Sequence, residues 1–271
     1  MVGGVGSAMG PGVDTMAAES VPTAILAWHG TRSAEGRADT ARLTSLLEKR
    51  LRRDAPGVRV VAGFVDEKVQ EPALSDVIAS ELASSSDSVV VLPAFIAAGY
   101  HVRHDIGAAA EEATRADRAR MGRVTVTPHL GKDARGGTEP RLVDAVLAAA
   151  GAGADGGSRP DTATDAADSP IVLASAGSAW EAVAVEIELL RRAVAERAED
   201  REVRHAVLDA DFAVAEGETT VPLLLARGFF ASRARAGGVA QSPLLGDPPA
   251  VDHIVEALAE RYEGALGREQ R

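Results

Sequence analysis

At 271 residues the chain can bury one large core or two modest ones, and a net charge of −11 argues against a nucleic-acid partner held through phosphate contacts. Hydrophobic residues make up 46% of it but aromatics only 3%, so Ala, Val, Leu and Ile must fill the core. The absence of cysteine excludes disulfides, thiolate metal sites and a cysteine nucleophile.

In chain order, residues 1–21 are rich in Gly and small residues, carry no periodic pattern, and read as a disordered leader. No basic residue precedes Arg32, so the positively charged n-region of a secretory signal is missing. No apolar run approaches the ~18 residues that span a bilayer. The expectation is a soluble cytoplasmic protein.

TAILAW (23–28) reads as a buried strand. The spacing then predicts a helix over 34–53, with Leu43, Leu46, Leu47 and Leu51 on one face and Ser33 as its N-cap. A second strand is expected over 58–65 and a helix over 73–84 built on Leu74, Val77, Ile78 and Leu82. A third strand covers 88–95, with Pro93 marking a bulge. A helix over 106–120, capped by Asp105, a strand over 123–128 and a helix over 140–150 complete residues 22–150. Near-continuous apolar strands alternating with helices mean a parallel α/β sheet.

Residues 151–169 contain almost only Gly, Ala, Asp, Ser, Thr and Pro, and read as a flexible linker. The remainder, 170–267, repeats the plan. SPIVLASAGSAW (169–180) has the shape of TAILAWHGTR and leads into a helix with Trp180, Val183, Ile187, Leu190 and Val194 on one face. TTVPLLLARGFFASRAR (219–235) parallels VVVLPAFIAAGYHVRHDI (89–106), and residues 239–258 parallel the segment that begins VTVTPHLG. An internal duplication is the reading. The second copy places Ala176 opposite His29 and Phe230 opposite His101, and residues 209–219 leave little room for a crossover helix.

Ligands of open α/β sheets bind beyond the carboxyl ends of the strands. His29 ends the first strand, Asp66 the second, and His101 follows the third across Gly99, which is expected to let the chain turn sharply. Two imidazoles and a carboxylate at one sheet edge form a set of borderline donors for a divalent metal, and the imidazoles accept protons near neutral pH. Arg32 and Arg103 flank the histidines as candidates to hold an anionic substrate. His104 and His129 read as loop residues, and His205 and His253 as structural. The sequence contains no GxGxxG after a strand, no phosphate-binding GxxxxGK[ST] loop, no HEXXH and no GxSxG.

The segments WHGTR, GFVDEKVQEPALSDVI, LPAFIAAGYHVRHDI and VTPHLGKDARGGTEPRLVDAVL together resemble the CbiX/SirB family of class II chelatases. The resemblance covers the first half and, more weakly, the second. It implies two similar chelatase-like α/β domains with a cleft between them. It also implies insertion of Co²⁺ or Fe²⁺ into sirohydrochlorin, in sirohaem or cobalamin biosynthesis, with release of two protons. No organic cofactor is implied; the divalent metal is a substrate. The metal-binding, catalytic histidines of the family map onto His29 and His101, and its acidic ligand onto Asp66. The family often has Glu there, and a shifted alignment gives Glu67 instead. Arg32, Arg103, Arg227 and Arg233 become the candidates for the substrate's carboxylate rim. Two fused halves fit a monomer, and a tetrapyrrole or metal carrier using the same cleft is the alternative.

Overall fold

The computed structural model describes residues 21–84, 88–151, 169–198 and 200–269. Apart from residues 21, 151 and 169, the expected leader and linker lie outside them. The first sheet is built from β1 (Thr23–Trp28), β2 (Val60–Phe64), β3 (Val89–Pro93) and β4 (Val124–Val126), all parallel and in the order β2-β1-β3-β4. Its helices are α1 (Ala34–Leu51), α2 (Leu74–Ser84), α3 (Ile106–Ala113) and α4 (Pro140–Gly151). Ser33 caps α1 as the sequence predicts: its side chain accepts the N–H of Gly36. Leu43, Leu47 and Leu51 are buried, with Leu46 packed at the margin. In α2 the four predicted apolar residues are all buried.

Four local expectations are corrected. The helix expected over 106–120 stops at Ala113, and Asp117 starts a separate 3₁₀ segment (Arg118–Arg123) by accepting the N–H of Ala119. Pro93 marks no bulge: it ends β3 in register with Ala27, and the ladder resumes when Ala94 N–H donates to the Ala27 carbonyl. Asp105 does not cap α3; it has helical dihedrals inside a π-helical turn, His101–Asp105, that runs directly into α3. Gly99 is absent from the glycines with positive φ, so the approach to His101 does not depend on a left-handed residue there.

The second sheet comprises β5 (Ile171–Ser175), β6 (Val203–Val207) and β7 (Thr219–Pro222), parallel in the order β6-β5-β7. That order repeats β2-β1-β3. Helices α5 (Glu181–Ala195), α6 (Phe229–Ala236) and α7 (Pro248–Glu269) belong to this half. The crossover from β6 to β7 carries no helix, as the short spacing requires. No strand stands where β4 would have its counterpart; a 3₁₀ turn, Leu244–Gly246, takes that place and bonds back to Leu224 and Leu225. Trp180 is also corrected: its extended dihedrals precede α5, and its ring, 39% exposed, lies off the apolar face formed by Ile187, Leu190 and Val194.

Side-chain alternation places Ala24, Leu26 and Trp28 of β1 on one face and Ile25 and Ala27 on the other. The second face is covered by α2 and α3. The first face shares a continuous core with Ile171 and Leu173 of β5, and α1, α4, α5 and α7 fill the space between. The two halves therefore have their own sheets but not separate cores. The last helix, α7, joins the halves by packing on α1 and α4 of the first. The Tyr262 hydroxyl on α7 donates to the Pro22 carbonyl at 2.5 Å, at the very start of the first half.

Candidate functional site

The carboxyl edge of the first sheet is held by backbone contacts that leave its side chains little freedom. Trp28 ends β1 and His29 follows, exposed. Gly30 then takes φ 104°, a left-handed conformation that costs a side-chain-bearing residue about 1–3 kcal/mol. The His29 carbonyl accepts the N–H of Asp66 at 3.2 Å, and Thr31 N–H donates to the Gln70 side chain at 3.0 Å. The loop after β1 is thereby stitched to the loop after β2. The backbone carbonyl of Asp66 closes that second loop by accepting the N–H groups of Val69 and Gln70.

His101 enters from the neighbouring strand, β3. Its ring meets that of His29 edge to face, with centroids 4.3 Å apart. The π-helical turn brings Asp105 beneath it, and His101 Nδ1 lies 2.5 Å from the carboxylate. His29 Nδ1 is 3.3 Å from the carbonyl of Gly30. With each Nδ1–H donating locally, each ring presents Nε2 as the free donor to a metal. A carboxylate behind a histidine fixes its tautomer and raises its basicity as a ligand. This partnership was missed in the sequence, although the i,i+4 spacing of His101 and Asp105 is visible there.

Asp66 and Glu67 line a pocket of about 320 Å³ together with Lys68, Ser75, His101 and Asp105. The two predicted histidines are thus in contact, and the predicted acid lies on the adjoining loop. Among the described residues no three His, Asp or Glu side chains converge closely enough to hold one ion.

The arginines separate into two kinds. Arg32 and Arg103 are exposed beside the histidines, and Arg103 Nε donates to the Ala98 carbonyl at 3.0 Å. Arg233 lies over the Phe229 ring, 5.1 Å from its centroid. Arg227, by contrast, is bound from both sides by the carboxylate of Asp39 on α1, with Nε at 2.9 Å and an NH2 group at 2.6 Å. Asp39 is only 3% exposed, so this pair ties the second half to the first. Close packing accompanies it: a Cβ on Gly36 would come within 2.2 Å of the Arg227 carbonyl.

A row of rings runs from the histidines to the second half. Tyr100 lies 6.0 Å from His101 and 6.0 Å from Trp180, and His104 lies 4.8 Å from Tyr100 and 5.6 Å from Trp180. Tyr100 and Trp180 are 51% and 39% exposed, unlike the other tryptophan, Trp28. His129, read as a loop residue, is instead buried, and its pKa is pushed down by that burial against the pull of Glu186. His205 bonds the Ser175 hydroxyl at 2.8 Å.

No curated protein sequence matches the chain significantly. Among solved structures, SirB from Bacillus subtilis with Fe³⁺ superposes with a TM-score of 0.62 at 20% identity, over 91% of this chain and 98% of that one. SirB from B. subtilis subspecies spizizenii in complex with cobalt gives 0.60 at 18% identity, over 91% and 97%. CbiX, described as the terminal enzyme for siroheme biosynthesis in denitrifying bacteria, gives 0.53 at 18% identity, over 88% and 97%. These likenesses establish that both halves share the chelatase architecture. The sequence profile of the CbiX family matches residues 23–148, the span that contains His29, Asp66 and His101. Over residues 23–148, just under half of its length, this chain is similar to the CbiX family.

Proposed function

We propose that the protein is a sirohydrochlorin chelatase, inserting Co²⁺ or Fe²⁺ into the macrocycle on the route to sirohaem or cobalamin, in the cytoplasm. The observation that carries this reading is the His29–His101 ring pair with Asp105 bonded behind it. Metal insertion needs a donor set that strips water from the ion, holds it weakly and then removes two pyrrole protons. Neutral imidazoles suit each step: they ligate through Nε2, and once the metal has left they accept the pyrrole protons. Asp66 or Glu67, on the neighbouring loop, supplies the acidic donor that steadies the incoming cation.

The tetrapyrrole lies over the ring row of Tyr100, His104 and Trp180, its carboxylates held by Arg32, Arg103 and Arg233. Arg227 contributes indirectly, by fixing the two halves through Asp39. No organic cofactor has a task in this reaction, and a single chain supplies the whole cleft.

The test is insertion of Co²⁺, Fe²⁺ and Ni²⁺ into sirohydrochlorin, followed by absorbance against the uncatalysed rate. Catalysis with one ion, lost in His29→Ala/His101→Ala, is expected. Equal rates for the wild type and the double variant would remove the mechanism. Tight binding of the macrocycle with no acceleration would make the protein a carrier.

A further inference from the structure

The loop that delivers His101 is gripped from the other half of the chain. Glu186, on α5, has a side chain only 10% exposed. Its Oε2 accepts the backbone N–H of Ala98 at 2.6 Å, three residues before His101. The Ala98 carbonyl in turn accepts from Arg103 Nε at 3.0 Å. Both hydrogen-bonding groups of this one residue are thus fixed, one from α5 and one from the π-helical turn itself.

The carboxylate is held in place by groups on a third segment. Lys132 Nζ lies 3.2 Å from Oε1, and His129 Nε2 lies 3.4 Å from Oε2. His129 Nδ1 sits between the N–H of Gly131, at 3.2 Å, and the carbonyl of Phe95, at 3.3 Å, which fixes the ring beside Glu186. The two loops lie in direct backbone contact: a Cβ on Gly131 would come within 1.8 Å of the Ile96 carbonyl. Burial pushes the Glu186 carboxyl up, but the Ala98 amide, His129 and Lys132 outweigh it and keep the group ionised. A lone carboxylate at a half-buried seam is costly unless its bonds are made, and here one of them ends on the loop that aims His101.

We propose that Glu186 is a positioning residue for His101: through the Ala98 amide, the half of the chain that lacks the histidines sets the geometry of the half that has them. The catalytic consequence rests on the chelatase reading; the positioning itself does not.

Two variants separate the hydrogen bond from packing. Glu186→Met fills the space without an acceptor, whereas Glu186→Gln keeps an oxygen for the Ala98 amide. Leu190→Ala, on the buried face of the same helix, serves as a comparator for general loss of stability. Hydrogen–deuterium exchange over residues 94–103 is read on each full-length protein, with Co²⁺ affinity from visible d–d absorption and the rate of metal insertion. The expected result is faster exchange over 94–103 in Glu186→Met than in Leu190→Ala, with Co²⁺ binding and insertion each weakened about tenfold, and Glu186→Gln close to wild type. Unchanged exchange in Glu186→Met would overturn the proposal, as would equal damage in the Met and Gln variants or the same pattern in Leu190→Ala. If exchange responds as expected but the wild type neither binds Co²⁺ nor inserts it, the positioning stands and the chelatase reading fails.

Discussion

His101, proposed above to bind the metal, has a carboxylate on Nδ1. Asp105→Asn keeps the size of that group but offers a weaker, neutral acceptor. It is expected to lower Co²⁺ affinity roughly 10–100-fold while leaving the fold intact, measured by titration of the d–d spectrum and by circular dichroism. Gly30 acts on the partner histidine by backbone alone. Its φ of 104° and the nearby Gln70 Cβ, 3.3 Å from where a new Cβ would stand, make Gly30→Ala destabilising by about 1–3 kcal/mol. Chemical denaturation would report that loss, and a midpoint equal to wild type would show that the turn relaxes without strain. The residue pattern around His29 and His101 was visible in the sequence because both follow strands. The role of Asp105 was not, because a π-helical turn has no periodicity that separates it from a capped α-helix.

At the scale of elements, the post-strand turn recurs in both halves. Gly177 after β5 has φ 74°, matching Gly30 after β1, so the duplication extends to backbone conformation where the histidine is gone. The turn before α5 has taken a different use: Trp180 stands exposed beside Tyr100 and His104. A tetrapyrrole stacked there would quench its emission, while Trp28, buried in the core, would respond less. Titration of the wild type with sirohydrochlorin should therefore quench fluorescence, and Trp180→Phe should remove most of that change. Persistence of the full quench in Trp180→Phe would place the macrocycle elsewhere.

For the whole molecule, the shared core and the Asp39–Arg227 pair make the halves one cooperative unit. Arg227→Ala leaves a buried carboxylate with only the Arg227 backbone N–H as partner, and is expected to cost about 3 kcal/mol in urea unfolding, in a single transition. Acid should loosen the same structure. His129 has a native pKa below its ordinary 6.5 because burial disfavours the cation. Below pH 6.5 the unfolded chain takes up a proton that the native ring refuses. The associated stability is therefore complete above 6.5 and declines as pH falls from there towards the lower native value. Thermal midpoints measured from pH 7.5 to 5.5 should fall in the wild type and fall less in His129→Gln.

The sequence by itself determined the strands of the first sheet, their parallel order of connection, most helix faces and the two histidines at the sheet edge. Those features follow from local periodicity and from the rule that strand ends face the ligand. It also carried the repeated plan, the shortened crossover and the lack of matching histidines in the second half. Only the tertiary structure decided what that copy does. Glu186 reaches Ala98 across 88 positions, Arg227 reaches Asp39 across 188, and α7 closes the core of the other half. Such contacts leave no local pattern: a glutamate on a helix looks solvated until the loop that needs its oxygen has folded against it.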